Sequence, residues 1–396
     1  MSVTTRASVN DHHTVLNLVS FLTQLGIALI NLALVYHLRR TFGMGADHIG
    51  IATSIYTVSY LLACIAGESW SRRFSPRICV EVSLIGMSLS IAAVIYVRSL
   101  LFLYVVLALY GVFMSLMWPQ IEGWISRGRE GVRLNKAMGE FNFSWSFGAG
   151  VAPFIGGILV EISTVAALSS GAVFLFFVMC FLFVSSRFIP SMKEVPSEEH
   201  AIIQDSGTDG STPLRYLCWS GLVLVYCGVS VVQTIFPLYA QDVLQIPESM
   251  TGALLLVRGI TTCGLFYILG RTSWWHFRAW VILGVQVAFS LVCLYAVKIT
   301  TVWMYIPFFV VFGSVFATAY TMSIFHGASG SVHRARRMMI HEVLLTFGMI
   351  IGAASGGFVY EHLGFPTVML VLAGLGAFAV VMEIIVAIAL RGRFTK

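Results

Sequence analysis

Residues 147–161 read FGAGVAPFIGGILVE, and residues 347–361 read FGMIIGAASGGFVYE. The phenylalanine, three of the glycines and the final glutamate recur at a constant offset of 200 residues. Self-similarity at a fixed spacing is the mark of a duplicated architecture. The small residues at 148, 152 and 156, and at 348, 352 and 356, are spaced by four, which gives a helical face almost without side chains and allows a second helix to approach closely. These two stretches therefore predict two related helical halves.

The composition indicates that the solvent of most of the chain is lipid. Of 396 residues, 58% are hydrophobic and only 11% are charged, and the mean hydropathy is +0.87. A soluble globular domain carries about 25% charged residues. These values exclude a cytosolic enzyme, a disordered protein and an ordinary nucleic-acid binder. The seven cysteines include no CxxC pair, so we interpret them as small core residues.

Apolar runs of membrane-spanning length recur throughout the sequence. A bilayer core about 30 Å thick needs about 20 helical residues to cross it. Twelve runs meet this length, which predicts an all-α membrane protein of two pseudo-symmetric six-helix bundles, residues 1–188 and 215–396. Residues 189–214 are polar and rich in Ser, Pro and Gly, as expected of a linker. The runs are 14–36, 47–66, 77–97, 99–123, 137–160, 164–187, 215–238, 249–269, 279–297, 302–325, 340–360 and 366–390.

The distribution of Lys and Arg predicts the orientation. With the N-terminus in the cytoplasm, 19 of the 24 basic residues fall on inside segments and 4 on outside connectors. Cytoplasmic loops carry an excess of basic residues, so both termini are expected to be cytoplasmic. The basic loops are short and follow the topology, and no nucleic-acid partner is implied.

Two motifs give the chain its resemblance to the major facilitator superfamily. Gly139-x8-Gly148-x3-Ala152-Pro153-x2-Gly156-Gly157 is similar to the superfamily's fifth-helix antiporter signature, with one Gly→Ala change. Residues 67–77 resemble its signature loop between helices 2 and 3, although Ser71 replaces the acid. The resemblance implies the twelve-helix fold and transport by alternating access. It assigns gating to Arg72 and Arg73 of the loop and to Gly148, Pro153 and Gly156.

One departure argues against the export of drugs by proton exchange. Proton-coupled drug exporters of the superfamily carry an arginine in helix 4 at the position of Leu107, and this helix contains no base. The antiporter signature and this departure point in opposite directions, and we favour antiport or export.

Polar residues inside predicted spans are the candidates for contact with a substrate. Arg258 is the sharpest case, because a charge in a bilayer costs about 2.5–3.5 kcal/mol. A guanidinium suits a carboxylate or phosphate, and permanent pairing inside the protein is the alternative. The resemblance places most of the uncharged candidates on cavity-lining helices. The full set is Gln24, Asn31, Tyr56, Trp118, Asn142, Trp145, Gln233, Arg258, Thr262 and Tyr320.

Carboxylates near span ends are candidates for proton coupling and gating. Glu122 follows Trp118 by one helical turn, and a desolvated acid there would titrate near neutral pH. Glu140 and Glu342 are equally compatible with pairing to nearby bases as a gate. Glu383 is expected to brace the bundle, and Asp47, Glu161 and Glu361 are interpreted as ordinary interface acids.

Together these features predict a secondary transporter in the bacterial inner membrane. Its expected partners are a small organic solute, H⁺ as the coupling ion, and the lipid bilayer. It is expected to be a monomer without cofactor or metal, because no Walker motif, catalytic signature or metal-spaced Cys/His cluster occurs. Two alternatives stay open: an importer of an anionic or polar metabolite through Arg258, and a transporter-derived lipid flippase.

Overall fold

A computed structural model describes residues 3–71, 74–126, 131–188, 211–331 and 334–389. Within these ranges the regular structure is helical, with one short 3-10 turn at Val302–Met304 and no strand. The helices are α1 (Val3–Phe42), α2 (Ala46–Ser71), α3 (Pro76–Tyr96), α4 (Leu100–Ser115), α5 (Trp118–Ser126), α6 (Gly131–Ile162), α7 (Thr164–Phe188), α8 (Leu214–Asp242), α9 (Glu248–Leu269), α10 (Ala279–Val297), α11 (Tyr305–Ala328) and α12 (Arg334–Ala389).

The described helices include eleven segments long and apolar enough to cross a membrane. Helices α4 and α5 together form one of them, Leu100–Ile125, which agrees with a single predicted run. The count differs from the predicted twelve because the last two runs fall within one segment, Arg336–Ile385. The predicted all-helical membrane class is therefore confirmed.

Helix α12 is interrupted at Gly364. Its 56 residues would form a rod about 84 Å long, far beyond a bilayer core of about 30 Å. Gly364 leaves the helical conformation, with φ 78° and ψ 168°, and Pro366 follows it. Glycine adopts this backbone conformation without steric cost, and proline favours the first turn of a new helix. The chain therefore breaks between the two predicted runs.

Large apolar side chains are exposed on the flanks of the helices. Leu101 is 70% exposed, Phe177 63% and Phe378 64%, and many others resemble them. A soluble protein rarely exposes continuous apolar surface on this scale. Hydrocarbon is the solvent that such flanks require.

The first of two compact units comprises residues 1–43, 55–200 and 246–259. Its helix α1 packs on α6 and α7, and α3 packs on α4 and α7. The fully buried rings of Tyr36, Tyr110 and Phe141 fill its interior. The first half of α9 belongs to this unit.

The second unit comprises residues 44–54, 201–245 and 260–396, and so includes the beginning of α2. Helix α8 packs on α11 and α12, and α10 packs on the same two helices. Near the C-terminal end of α8, Phe236 and Tyr239 contact the rings of Tyr305, Phe309 and Phe365. Buried aromatic pairs of this kind add to the area buried by each ring.

The repeated glycines make equivalent close contacts in the two units. A Cβ on Gly148 would overlap the carbonyl oxygen of Phe21 on α1. A Cβ on Gly348 would overlap the carbonyl oxygen of Val223 on α8. Each glycine therefore lets the repeat helix lie directly on a neighbouring backbone, as the spacing of the glycines predicts.

Substitution of Gly148 by leucine should destabilise the protein, because no side chain rotation relieves an overlap with backbone. Overpacking of this kind costs about 1–3 kcal/mol or more. We expect a lower melting temperature in detergent and a reduced folded yield. Gly139→Leu on the same helix is the matched control, because nothing lies within 4 Å of a Cβ there. Equal stability of the two variants would contradict the close packing of α1 on α6.

Candidate transport site and closures

In the first unit, the end of α6 closes on the beginning of α9. A Cβ on Gly157 would overlap the carbonyl oxygen of Glu248, and the backbones of Gly150 and Gly259 meet about two turns of α6 away. Glu161, at the end of α6, accepts a hydrogen bond from the Ser249 backbone N–H at 2.9 Å. We call these contacts the α6–α9 closure.

In the second unit, α12 closes on the beginning of α2 in the same way. Cβ atoms on Gly357 and Gly50 would overlap the carbonyl oxygens of Ala46 and Ala353, respectively. Glu361 accepts a hydrogen bond from the Ala46 backbone N–H at 2.7 Å. We call these contacts the α2–α12 closure. Glu161 and Glu361 are equivalent residues of the repeat, so the two closures are related by the duplication.

The electrostatics of both closures rest on a carboxylate at a helix N-terminus. The first N–H groups of a helix have no partner within it and carry partial positive charge, so a carboxylate stabilises them. In the α6–α9 closure Arg40 also forms an ion pair with Glu248 and donates a hydrogen bond to the Val160 carbonyl at 3.3 Å. These charged groups lie at the rim of the closure.

The predicted polar residues of α1 lie on one face of the helix. Gln24 and Asn31 are seven residues apart and both are half-buried. The Asn31 Oδ1 atom is buried and accepts no hydrogen bond from the described residues. Arg258, in the part of α9 that belongs to the same unit, is only 7% exposed. This unit therefore holds a buried base and an available amide acceptor.

The remaining candidates of the first unit are aromatic or bonded to aromatic groups. Trp145 Nε1 donates to Asn142 Oδ1 at 3.0 Å, so these two predicted residues satisfy each other on α6. The Tyr56 ring meets Tyr110 edge-on at 5.8 Å. Trp118 packs edge-on against Phe141, with ring centroids 6.2 Å apart.

In the second unit, Tyr320 belongs to a ring cluster. Its ring centroid lies 5.6 Å from that of Phe266 and 6.1 Å from that of Phe316, and Tyr226 contacts the same side. Thr262 donates its hydroxyl hydrogen to the Gly313 carbonyl at 3.3 Å. Gln233 is half-buried on α8.

Comparison with known proteins now decides the family. The sequence profile of the Major Facilitator Superfamily matches residues 16–328. The chain belongs to the Major Facilitator Superfamily. It is therefore a multi-pass membrane transporter and not an enzyme. No curated protein matches the sequence.

Solved structures similar to this superfamily member share its fold at low identity. A bacterial homologue of the human lysosomal transporter Spinster, in an inward-facing and occupied conformation, has a TM-score of 0.74 and 13% identity, with 97% of each chain covered. A POT family transporter in complex with 5-aminolevulinic acid has a TM-score of 0.73 and 12% identity, with 97% of this chain and 96% of that chain covered. A peptide transporter POT in complex with sulfate has 0.68 and 14%, with 94% of each covered.

The described residues to which superfamily resemblance and charge assign gating or coupling lie on α5, α6 and α12. Glu140 is 46% exposed and faces His13 Nδ1 of α1 at 3.3 Å. Glu122 is half-buried on α5, and Glu342 is half-buried on α12. Pro153 packs against Gly252 within the α6–α9 closure. Arg72 and Arg73 lie outside the described residues. Among the described residues, no group of three His, Cys, Asp or Glu side chains is placed to hold a metal.

The sequence interpretation missed two features of this superfamily member. Glu161 and Glu361 are closure residues, and their place as the last matched position of the repeat was the available signal. His341 is 1% exposed, its Nδ1 lies 2.8 Å from the Ser323 hydroxyl, and the Tyr320 ring edge faces it. It lies at the beginning of the predicted run 340–360, and no role was predicted for it.

Neutralising the repeated carboxylates should loosen both closures. A hydrogen bond to a charged group contributes about 1.5–3 kcal/mol, and a glutamine keeps the shape but loses the charge. In Glu161→Gln with Glu361→Gln, hydrogen exchange at the amides of Ser249 and Ala46 should accelerate about tenfold, since about 1.4 kcal/mol corresponds to a factor of ten. Mass spectrometry of the exchanged peptides measures this.

Asp242→Asn supplies the control, because it neutralises an exposed acid at the end of α8, outside the repeat helices α6 and α12. Exchange that is as slow in the double variant as in this control would show that the carboxylates do not hold the helix ends.

Proposed function

We propose that the protein is a secondary active transporter that moves a small organic solute by alternating access. In this proposal the break at Gly364 separates an eleventh and a twelfth span, and both termini are cytoplasmic. The functional bundles are residues 1–188 and 215–396, joined by residues 189–214. The protein acts as a monomer in the bacterial inner membrane.

The duplicated closure is the observation that carries this proposal. In both closures backbone meets backbone at glycine, so the contact is either fully made or fully lost. Packed interfaces of this kind are bistable rather than continuously deformable. The terminal carboxylates are exposed or half-buried, and water can replace their hydrogen bonds at low cost when a closure opens. A pair of reversible closures related by duplication is what alternating access requires.

The chemistry of the candidate residues supports a polar organic substrate. Asn31 offers an unused buried acceptor, and the Tyr320 cluster offers ring faces and edges for an apolar part of the molecule. A few polar groups among aromatic side chains are typical of small-molecule sites. The proposed substrate contacts are Gln24, Asn31, Tyr56, Trp118, Asn142, Trp145 and Arg258 in the first unit, and Gln233, Thr262 and Tyr320 in the second.

Antiport or export driven by protons is the proposed mode of transport. The antiporter-like motif of α6 supports it, since Gly148 and Gly156 form the face that lies on α1 while Gly150 and Gly157 form the α6–α9 closure. One helix thus combines a fixed packing face with a face that can release.

The second candidate is an importer of an anionic metabolite. The burial of Arg258 favours it, because a guanidinium offers paired donors to a carboxylate or phosphate. Arg258 lies one residue before Gly259 of the α6–α9 closure, so an anion bound there would act next to the closure.

Alternating access predicts that weakening the α6–α9 closure shifts the protein to a second arrangement. Gly259→Leu places a side chain against the backbone of Gly150. Leu255 lies between Gly252 and Gly259 on the same helical face and is 3% exposed, so a cysteine there reports opening. In a background without the seven native cysteines, Gly259→Leu should accelerate maleimide labelling of Leu255→Cys severalfold.

Gly264→Leu is the matched control, because it adds the same side chain to α9 where nothing lies within 4 Å. Circular dichroism and melting temperature establish that both variants are folded. Equal labelling of the two variants would oppose a closure that opens reversibly.

A thermal-shift panel distinguishes the two candidate functions. The panel contains organic acids, phosphorylated metabolites, sugars, nucleosides, amino acids and lipophilic cations. A ligand at 100 times its Kd adds about 2.7 kcal/mol to the folded state, which raises the melting temperature measurably. For the importer, an anion should stabilise the wild type, Arg258→Lys should weaken this effect, and Arg258→Ala should abolish it.

For the exporter, lipophilic or neutral polar compounds should stabilise the wild type and Arg258→Ala equally. Asn31→Ala is the control in which binding is expected to be lost for either kind of compound. If none of the six classes stabilises the wild type, the proposed site is not a small-molecule site.

A further inference from the structure

A polar network that is buried at Glu383 and Gln286 and exposed at Ser220 joins three helices of the second unit. Glu383, on the last part of α12, is 7% exposed. Its carboxylate accepts a hydrogen bond from the Ser220 hydroxyl of α8 and lies 2.8 and 2.9 Å from Gln286 Nε2 of α10. Gln286 itself is 1% exposed. All three groups belong to predicted spans, where each buried polar atom needs a partner.

Within the described part of the chain, no basic side chain forms an ion pair with Glu383. The titratable groups that face it are the Cys218 thiol of α8 and, behind that thiol at 3.6 Å, His326 of α11. From α10 it meets Gln286, which is uncharged. Arg215, the base of α8 nearest in sequence, binds Ser211, the Thr212 carbonyl and Tyr216 instead. An ionised carboxylate without a cation is expensive in such surroundings, and protonation removes that cost.

The hydrogen bonds of Gln286 are unbalanced while the carboxylate is ionised. Its Nε2 has two hydrogens but three acceptors within reach, both Glu383 oxygens and the Leu217 carbonyl at 3.2 Å. Its Oε1 atom is buried and receives no hydrogen bond from the described residues. One donor is therefore missing from the network.

A proton on Glu383 supplies the missing donor. If the Gln286 amide turns through a half rotation, its Oε1 faces Glu383 and accepts the carboxylic O–H, while its Nε2 gives up the hydrogen bonds to Glu383 and to the Leu217 carbonyl. The Ser220 hydroxyl continues to donate to the other carboxyl oxygen. Gly221, Ile282, Ala319 and Met322 border the amide. The network thus has one arrangement for the ionised acid and one for the protonated acid.

We propose that Glu383, Gln286 and Ser220 form a proton-binding site in which Glu383 takes up and releases one proton. Uptake converts the carboxylate to a carboxylic acid, and the bound proton is shared with Gln286 Oε1. The site deepens the transport proposal by naming where the coupling proton binds, and that role rests on the proposed function. Proton binding itself does not depend on the substrate.

Infrared difference spectroscopy of the purified full-length protein tests the site directly. A protonated buried carboxyl group gives a C=O stretching band that disappears on ionisation. We expect a pH-dependent band in the wild type and in Asp242→Asn, and its absence in Glu383→Gln. Ser220→Ala removes one donor to the carboxylate, so the midpoint of the titration should move upward by about one pH unit. This second variant decides the question if Glu383→Gln does not fold.

Three results would overturn the site: a titrating band that persists in Glu383→Gln, a band that is present or absent at every pH, and a midpoint unmoved by Ser220→Ala. The labelling of Leu255→Cys separates this failure from that of the transport proposal. A titrating Glu383 with a closure that never opens would leave a proton site without a transport role. An opening closure without a titrating Glu383 would leave a transporter whose proton binds elsewhere.

Discussion

The contact of backbone with backbone at glycine is the constraint on which the rest of the structure depends. In lipid, apolar side chains gain nothing by leaving solvent for one another, so helices associate through close packing and polar contacts. Gly148 of α6, which packs against α1, and Gly348 of α12, which packs against α8, provide such packing in the two units. The same two repeat helices use a different small-residue face, at Gly157 and Gly357, to meet α9 and α2. On each repeat helix, one face therefore makes the contacts that hold the unit together, and the other face makes the closure contacts that can open.

Three charged side chains of the protein differ in their exposure to solvent, and each has a correspondingly different kind of partner. Glu161 is exposed and stabilises a helix N-terminus, where its hydrogen bond can exchange with water. Arg258 is buried, so its charge needs a permanent or transient partner, and a transient one would be a substrate. Glu383 is buried among neutral groups, where the proton is the smallest partner that removes its charge. The cost of an unpaired ion is thus low for the exposed Glu161 and high for the two buried groups.

Much of the architecture followed from the sequence, because lipid imposes simple rules. Span length and the repeat at residues 147–161 and 347–361 predicted an all-helical membrane protein of the correct superfamily. These rules do not predict side-chain geometry that depends on tertiary contacts. Asn142 and Trp145 bond to each other, which spacing on one helix allows but does not require. Glu161 and Glu361 were undervalued because a carboxylate at a span end is ordinary, and only the partner N–H groups of Ser249 and Ala46 give them a role. The burial of His341 was not predicted, because it results from contacts with Ser323 and Tyr320 of α11.

The location of the buried acid bears on how a proton could influence transport. Glu383 lies on the last part of α12, after the break at Gly364, whereas Gly357 and Glu361 of the α2–α12 closure lie just before that break. Through Ser220 and Gln286 the acid also contacts α8 and α10. Helix α8 in turn lies on Gly348, Gly352 and Gly356 of the repeat helix. A change in the charge of Glu383 would therefore act on the helix against which the repeat helix is packed, and a contiguous set of packed backbones connects the acid to the closure. Coupling of this kind requires that the two protonation states favour different packings of α8, since a proton that binds both arrangements equally shifts neither.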